Sequence, residues 1–335
     1  MSFVEGLPKA ELHVHHVGSA SMRTVAELAE RHAGSTTVPT DPDALAEFFT
    51  FTDFGHFIEV YLSVVDLLRT PEDLWTLTYD VARDLTAQSV KYVELTCTPY
   101  TSIAVGISAE AYCEALEDAR RRAEADFGIT MRWIFDIPGE SGLPAADVTL
   151  DTALRLRPDG LVAFGLGGPE VGVTRPQFEP YFQQAIAAGL RSVPHAGEST
   201  GPETIWDSVN HLGAERIGHG IAAAQDPALM TYLAEHDITL EVCPTSNVRT
   251  RSVASLAEHP LPQLVAAGVP VTINSDDPPM FGTTLNAEYE IARDLLGLDD
   301  AGVAELARVA VRKSFADDAA KRDLLAEIDA YVEVV

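Results

Sequence analysis

Short runs of apolar, often β-branched residues alternate along the chain with longer segments whose apolar residues recur at helical spacing. The candidate strands cover residues 10–15, 90–97, 130–136, 161–166, 191–195, 215–218, 239–243 and 270–275. The clearest helical segments between them cover residues 108–127, 174–189 and 226–236. Because strands that alternate with helices usually pair in parallel, this pattern predicts a parallel sheet with helical connections.

Eight such units predict an α/β fold, the (β/α)8 TIM barrel, whose core usually takes about 250 residues. The chain has 335 residues, and we expect the surplus in additional helices at 41–69, after the first strand, and from residue 300 to the C-terminus. No linker, repeat or low-complexity segment divides the sequence, so a single domain over residues 1–335 is expected. A doubly wound open sheet is the alternative. It is disfavoured because no glycine-rich phosphate loop follows the first strand.

Polar residues able to do chemistry follow several of these strands. The first strand carries His13 and His15, and their spacing of two turns both rings to the same face. Strands five, six and eight end in Pro194-His195-Ala196-Gly197-Glu198, Ile217-Gly218-His219-Gly220 and Ser275-Asp276-Asp277-Pro278. Active sites of such barrels lie at the C-terminal ends of the strands, so we expect these groups to meet at one mouth.

Composition narrows the classes of partner. There are 23 basic and 51 acidic side chains, and the formal net charge of −28 disfavours binding to nucleic acid and to anionic membranes. The three cysteines, Cys97, Cys113 and Cys243, form no Cys-x-x-Cys pair, so neither a disulfide framework nor a cysteine zinc site is expected. No signal peptide and no apolar stretch of membrane-spanning length is recognised, which favours a cytoplasmic protein. Whether it forms a homo-oligomer is left open.

Histidine and aspartate at these strand ends suit a catalytic zinc site, which keeps one coordination position for water. The natural ligand set for one zinc ion per chain is His13, His15, His195 and Asp276. A zinc ion held in this way lowers the pKa of water toward about 7. For His195 the alternative is a histidine that is only hydrogen-bonded within the fold.

Three further residues are candidates for direct roles in the reaction. Glu198 is a candidate general acid that protonates a ring nitrogen, or a helix-terminal partner of the segment that follows it. His219, flanked by glycines, is a candidate to orient or deprotonate the attacking water, or a packed polar residue at the rim. We assign Asp277 to a hydrogen bond with substrate, with a turn before Pro278 as the alternative.

Six segments together resemble the adenosine deaminase family of the amidohydrolase superfamily. They are Pro8-Lys9-Ala10-Glu11-Leu12-His13-Val14-His15, Gly167-Gly168-Pro169-Glu170, His195-Ala196-Gly197-Glu198, Arg216-Ile217-Gly218-His219-Gly220, Cys243-Pro244-Thr245-Ser246-Asn247 and Ser275-Asp276-Asp277-Pro278. The resemblance covers residues 8–278 in the family's order. It implies a zinc-dependent hydrolase that replaces the 6-amino group of an adenine nucleoside with oxygen and releases ammonia.

Residue roles also follow from the resemblance. The family's zinc ligands fall at His13, His15, His195 and Asp276. Glu198 would protonate purine N1, and Asp277 would face N7. The backbone of Gly168 would meet N3, and His219 would handle the attacking water. The other zinc deaminase design, which uses His-x-Glu and Pro-Cys-x-x-Cys, is excluded because the chain has no Cys-x-x-Cys.

One position departs from the family pattern His-x-His-Leu-Asp-Gly. The chain reads His13-Val14-His15-His16-Val17-Gly18. Val17 therefore stands where the family places an aspartate that accepts a hydrogen bond from the ribose 5′-hydroxyl. A buried hydroxyl left without a partner costs about 1–3 kcal/mol. Adenosine is therefore expected to be a poor substrate, and a nucleoside with a larger, apolar 5′ group should be preferred.

The 5′ group itself is assigned to the segment after the first strand. An aromatic run there includes Phe51 and Phe54, which we interpret as an apolar lid, with helix packing as the alternative. A second candidate follows the seventh strand. Arg251, or its neighbour Arg249, could pair with a carboxylate of the substrate, and a solvated loop charge is the alternative.

An adenine nucleoside with an aryl carboxylate at its 5′ end is 6-aminodeoxyfutalosine, an intermediate of the futalosine route to menaquinone that some family members deaminate. It is the favoured substrate hypothesis. Adenosine and 5′-substituted adenosines such as methylthioadenosine are the alternatives. A two-metal hydrolase of the same superfamily and a non-catalytic nucleoside- or zinc-binding protein are alternatives of other classes. One zinc per chain and loss of the adenine chromophore would favour the deaminase.

Overall fold

The computed structural model describes residues 2–52 and 54–334, and for Phe54 the backbone alone. Its strands are β1 Lys9–His15, β2 Val90–Cys97, β3 Thr130–Pro138, β4 Leu161–Gly167, β5 Arg191–Ala196, β6 Arg216–His219, β7 Thr239–Val242 and β8 Val271–Ile273. They pair in parallel in sequence order from β1 to β8. The predicted (β/α)8 barrel is confirmed, and each strand ends within two residues of the predicted positions.

The sheet curves until its last strand meets its first. The backbone N–H of His15 donates to the carbonyl of Asp276 at 2.9 Å, and the N–H of Asp276 donates to the carbonyl of His13 at 3.1 Å. Asn274 extends this seam, because its Oδ1 accepts from the backbone N–H of Leu12 at 3.0 Å. A doubly wound open sheet, whose strand order reverses in the middle, does not fit this closed sequential order.

Helices surround the strands and fill the two predicted insertions. They are α1 Phe3–Gly6, α2 Met22–Arg31, α3 Pro42–Phe48, α4 Phe54–Val65, α5 Pro71–Thr86, α6 Pro99–Ala104, α7 Ala109–Phe127, α8 Gly142–Asp151, α9 Glu179–Ala187, α10 Pro202–Leu212, α11 Pro227–Glu235, α12 Pro244–Arg249, α13 Leu261–Ala266, α14 Pro278–Phe281, α15 Leu285–Leu296, α16 Asp300–Lys313 and α17 Asp318–Val334. The extra helices expected at 41–69 are α3 and α4, and those expected from residue 300 are α16 and α17.

Local signals explain where the helices begin. The backbone N–H of Asp73 donates to Thr70 Oγ1 at 3.2 Å, and the Asp73 carboxylate accepts from the N–H of Thr70 at 2.9 Å, which forms a capping box before α5. Asp41 caps α3 by accepting from the N–H of Ala44 at 3.0 Å. Caps of this kind typically stabilise a helix by about 1 kcal/mol.

The barrel interior contains a buried ionic cluster of Arg216, Glu94 and Glu241. Arg216 of β6 donates from Nε to Glu241 of β7 at 2.6 Å, and it also donates to Glu94 of β2. A third donor of the same guanidinium reaches the carbonyl of Lys313 at 2.9 Å. Because each buried charge has partners, the arginine and the two carboxylates satisfy one another.

Within residues 2–52 and 54–334, no helix combines the length and the apolar character that crossing a membrane requires. The prediction of a single domain over residues 1–335 stays a prediction.

Candidate active site

The C-terminal ends of β1, β5, β6 and β8 bring four histidines and an aspartate together at one mouth of the barrel. These residues are His13, His15, His195, His219 and Asp276. The centroid of the His13 ring lies 4.6 Å from that of the His195 ring and 4.8 Å from that of the His219 ring. Residues that are more than 260 positions apart in sequence are therefore neighbours, as strand-end placement predicts.

The atoms of this cluster converge on Asp276. Its Oδ1 lies 3.2 Å from His15 Nε2 and 3.5 Å from His13 Nε2. His15 Nε2 also lies 3.2 Å from His195 Nε2. One ligand atom each from His13, His195, His219 and Asp276 all fall within 4.8 Å of one another, and His15, Asp276 and Asp277 form an overlapping group.

Partners on the far side of two rings leave their inner nitrogens available. His13 Nδ1 lies 2.8 Å from Glu241 Oε2, and because a carboxylate accepts, the ring proton is on Nδ1. His195 Nδ1 lies 2.9 Å from the carbonyl of Leu166, which places its proton on Nδ1 in the same way. The Nε2 atom of His13 is buried and, within the described residues, has no hydrogen-bond partner. These inner lone pairs, together with Asp276, fit a metal ion whose ligands are oriented by outer partners.

The charges around the cluster favour a cation. Burial lowers the pKa of His13, but the Asp276 and Glu241 carboxylates on either side of the ring outweigh it and raise the pKa to about 10. Burial likewise lowers the pKa of His15, yet the negative charges of Asp277 and Asp276 outweigh it and raise the pKa to about 9. Burial also opposes the charged form of Asp276, but the neighbouring histidines hold its pKa well below the usual range. The same negative field attracts a metal ion, which would take the place of the second proton on these rings.

Backbone geometry at the mouth is adapted to bring the rings close together. His219 and Asp276 have φ of 59° and 65°, a left-handed conformation that costs energy for residues other than glycine. Gly218 precedes His219, and a Cβ there would lie 2.7 Å from His13 Cε1. A side chain at position 218 would therefore displace the His13 ring.

Glu198 is held over the cluster by Glu170, the last residue of the Gly-Gly-Pro-Glu segment. One oxygen of Glu170 accepts from the backbone N–H groups of Glu198, Ser199 and Thr200 at 3.1, 2.8 and 3.0 Å. Its other oxygen accepts from Arg175 at 3.1 Å. This buried carboxylate fixes the loop that carries Glu198.

The environment of Glu198 keeps its carboxyl protonated near neutral pH. Burial, and then the negative charges of Asp276 and Glu170, raise its pKa to about 8. Glu198 Oε2 lies 3.7 Å from His219 Nε2, so the acid faces the cluster. A buried acid with a pKa near neutrality is suited to donate a proton to substrate.

Asp277 occupies the space next to Gly18. A Cβ on Gly18 would lie 1.5 Å from Asp277 Oδ1, so only glycine fits at position 18. That Oδ1 atom is buried and, in the described part of the chain, has no hydrogen-bond partner. Burial and the charge of Asp276 raise the pKa of Asp277 to about 7. Gly168 lies across the mouth, with Glu140 Oε2 2.2 Å from the position of an added Cβ.

A cavity joins this polar cluster to an apolar arm. Its polar end is lined by His15, His195, Glu198, His219, Asp276 and Asp277, and Gly168 and Val17 lie beside them. The apolar arm is lined by Phe57, Ile58, Tyr61, Leu62, Val65, Leu68 and Leu74. Leu62 is 52% exposed, so the arm reaches the surface.

Two residues assigned to the 5′ group, Phe51 and Arg251, are not among the described residues that line this cavity. The ring of Phe51 packs behind it, 5.2 Å from Phe57 and 6.0 Å from Phe281 between centroids. Arg251 lines a neighbouring groove and donates to the carbonyl of Thr52. The side chain of Phe54 lies outside the described residues. Direct contact of Phe51 and Arg251 with substrate stays a prediction without support from this arrangement.

Comparison with known proteins identifies the family. The model of the adenosine deaminase family matches residues 8–331. The chain belongs to the adenosine deaminase family. An aminodeoxyfutalosine deaminase from Streptomyces avermitilis is 65% identical over 332 residues, 98% of this chain and 92% of that protein. The resemblance inferred from the sequence motifs is therefore confirmed, as is the expected class of enzyme, a deaminase.

Solved structures of related proteins share the fold over the whole chain. The crystal structure of adenine deaminase from Arthrobacter aurescens has a TM-score of 0.92 at 33% identity, and covers 98% of this chain and 100% of that one. An amidohydrolase from Burkholderia ambifaria with bound Zn has a TM-score of 0.88 at 25% identity, and covers 99% and 93%. Together with the cluster at the mouth, the family supports a metal site in this protein.

Sequence reasoning missed several residues that support this adenosine deaminase site. Glu241 orients His13, and Ser246 donates to Asp276 Oδ2 at 2.6 Å. Glu170 was recognised only as part of a motif, without its role in holding the Glu198 loop. A usable signal existed for Glu241, because a carboxylate inside the apolar run Thr239–Val242 is unusual unless it has a buried partner.

Proposed function

We propose that this protein is a zinc-dependent deaminase of 6-aminodeoxyfutalosine, with one zinc ion per chain. The observation that carries the proposal is the cavity, which joins a histidine–carboxylate cluster to an apolar arm. The first end suits hydrolytic removal of the 6-amino group, and the second suits an aromatic 5′ substituent. A cytoplasmic protein with a single domain over residues 1–335 is part of the same proposal.

The zinc ligands in this proposal are His13, His15, His195 and Asp276. Their support is the arrangement described above, in which outer partners leave the inner ring nitrogens of His13 and His195 unprotonated. When bound, zinc acts as a Lewis acid that lowers the pKa of water toward about 7. Burial excludes bulk solvent from the same space, so the charges of the site act with little screening.

The remaining polar groups orient the purine ring. Glu198 holds a proton near neutral pH and donates it to N1 as water adds at C6, which makes C6 more electrophilic. N7 of the purine is a hydrogen-bond acceptor. Asp277, with a pKa of about 7, can carry the proton that it needs to donate a hydrogen bond to N7. The backbone of Gly168 meets N3. Positioning of this kind supplies much of the rate of an enzymatic reaction.

The arm of the cavity defines the 5′ group. Val17 is partly buried at its entrance and cannot accept the hydrogen bond of a ribose 5′-hydroxyl. Among the described residues that line the cavity, none is a lysine or an arginine, and Asp136 and Glu140 add acidic character. A 5′-phosphate with two charges would therefore be disfavoured. An aromatic ring packs well in the arm, and its single carboxylate reaches the solvent beyond Leu62.

The 65% identical relative from Streptomyces avermitilis supports the same substrate. Adenosine and 5′-methylthioadenosine are the competing substrates in this proposal, because they share the purine and the ribose. The adenine deaminase from Arthrobacter aurescens, at 33% identity, makes free adenine a further comparison.

A direct comparison of substrates tests the proposed function. Purified protein with bound zinc is assayed by loss of the adenine chromophore with 6-aminodeoxyfutalosine, adenosine, 5′-methylthioadenosine and adenine. We expect kcat/KM to be highest for 6-aminodeoxyfutalosine, and lower for adenosine by roughly 5- to 150-fold, which corresponds to about 1–3 kcal/mol. Equal or better turnover of adenosine would overturn the substrate assignment while leaving the deaminase class intact.

Val17→Asp tests the reason for this preference. The aspartate restores an acceptor for the 5′-hydroxyl and places a charge at the entrance of the apolar arm. We expect the ratio of kcat/KM for adenosine to that for 6-aminodeoxyfutalosine to rise about tenfold or more. Val17→Asn is the matched control, because it has similar size without the charge. An unchanged ratio in both variants would contradict the role given to Val17.

A further inference from the structure

A line of hydrogen bonds runs from the backbone at the start of α13 to the ring of His219. The N–H of Leu261 donates to His259 Nδ1 at 3.1 Å. His259 Nε2 lies 3.1 Å from Asn247 Oδ1, and Asn247 Nδ2 lies 3.1 Å from His219 Nδ1. His259, Asn247 and His219 are 4%, 0% and 1% exposed, so water does not compete for these bonds.

The direction of every bond in this line is fixed by its first member. A backbone N–H only donates, so His259 Nδ1 must carry a lone pair. Burial lowers the pKa of His259 to about 4, so the ring is neutral near pH 7 and its proton is on Nε2. That proton is donated to Asn247 Oδ1, which turns the amide nitrogen of Asn247 toward His219.

The last bond determines the state of His219. The amide N–H of Asn247 only donates, so His219 Nδ1 must accept, and the proton of the neutral ring is on Nε2. His219 Nε2 lies 3.7 Å from Glu198 Oε2 and 3.7 Å from Asp276 Oδ2, so the N–H faces the polar end of the cavity.

We propose that His259 is a positioning residue which, through Asn247, holds His219 in the tautomer that carries its proton on Nε2. Neither His259 nor Asn247 is among the described residues that line the cavity, so both act through the His219 ring. This inference rests on the proposed function only for its effect on rate.

The assignment separates the two roles considered for His219. A ring whose inner nitrogen already carries a proton cannot remove one from the attacking water. It can donate a hydrogen bond to the oxygen that adds to C6, which is stabilised as its negative charge grows. The proton of the water must then pass to another group. Asp276 is the carboxylate left for it at this end of the cavity, because Glu198 and Asp277 are assigned as protonated donors to the purine. It also follows that His219 has no lone pair for a metal, which distinguishes it from His13 and His195.

Nuclear magnetic resonance of the ring nitrogens tests the tautomer without any turnover. The full-length protein is labelled with 15N-histidine, and a His219→Gln variant identifies the His219 signals. We expect the wild-type spectrum to show the proton on Nε2, with and without added zinc. A proton on Nδ1 in the wild-type protein would overturn the proposal directly, whether or not the protein deaminates the expected substrate.

A pair of variants at position 259 tests the line itself. His259→Leu removes the donor to Asn247, so the amide is free to rotate and His219 should show a mixture of tautomers. His259→Gln keeps an N–H near the position of Nε2 and should retain the wild-type state. We expect kcat to fall about 10- to 100-fold in the leucine variant, with KM changed far less, and to recover in the glutamine variant.

Two further variants separate this role from general loss of stability. Asn247→Asp replaces the amide donor by a carboxylate acceptor of the same shape, so the His219 proton should move to Nδ1 and kcat should fall about 10²-fold. Leu264→Ala, on the helix α13 that begins two residues after His259, removes a buried apolar side chain that takes no part in these hydrogen bonds. It should lower the melting temperature and leave both the ring spectrum and kcat unchanged. If His259→Leu behaves like Leu264→Ala, His259 has only a structural role and the proposal is wrong.

Discussion

Asp276→Asn is expected to remove the bound metal and to lower kcat by several orders of magnitude. The carboxylate of Asp276 contacts both His13 and His15 and supplies the negative charge nearest to the cluster. An asparagine has the same shape without that charge, so the proposed zinc site loses its one anionic ligand. Without a bound ion, the pKa of water at the site returns toward about 15.7, and hydroxide is no longer available near neutral pH.

Metal analysis and activity are measured together on Asp276→Asn and on a matched neighbour. Asp277→Asn makes the same chemical change one residue later, at a carboxylate that we assign to the purine rather than to zinc. It should retain about one zinc per chain and lose activity mainly through KM. Chelation of the wild-type protein should abolish activity, and added zinc should restore it. Full zinc content in Asp276→Asn, or equal metal loss in both variants, would contradict the ligand assignment.

The strand pattern predicted the barrel well because buried parallel strands differ strongly from amphipathic helices in the period of their apolar residues. The one strand end that was clearly overestimated has a specific cause. β8 was expected to reach residue 275, but it ends at Ile273. Asn274 then takes over the bonding with its side chain, and the left-handed φ of 65° at Asp276 turns the chain out of the sheet. Side-chain bonding of this kind has no signature in hydrophobic periodicity.

The groups at the strand ends were also predictable, because a barrel places all such ends at the same mouth. Their supporting residues were not. Glu241, Asn247 and His259 act on His13 and His219 from other strands and helices, and only the folded structure reveals these pairs. The aromatic run after β1 shows a different limit. Composition predicted an apolar lid, but it cannot tell that Phe57 faces the cavity while Phe51 packs behind it.

Glu198→Gln is expected to lower kcat about 10²- to 10⁴-fold, the usual effect of removing a general acid. Glutamine has nearly the same shape and still forms hydrogen bonds, so the loop held by Glu170 should keep its position. What the variant lacks is the proton that we assign to N1. Because binding groups remain, KM should change much less than kcat, and the content of bound zinc should match that of the wild-type protein.

The pH dependence distinguishes a proton donor from a residue that only shapes the cavity. Burial raises the pKa of Glu198 to about 8, so the carboxyl is protonated below that pH and loses its proton above it. Because the protonated form of Glu198 is the active one, its ionisation should lower wild-type kcat/KM as the pH rises through about 8, beyond the fall near pH 7 that ionisation of Asp277 causes. Residue 198 cannot titrate in the glutamine variant, so its remaining activity should keep the fall near pH 7 and lack the one near pH 8. Glu203→Gln, an exposed glutamate five residues further along, is the matched control and should retain the wild-type rate and profile. A decline near pH 8 that persists in Glu198→Gln would transfer the proton-donating role to another group.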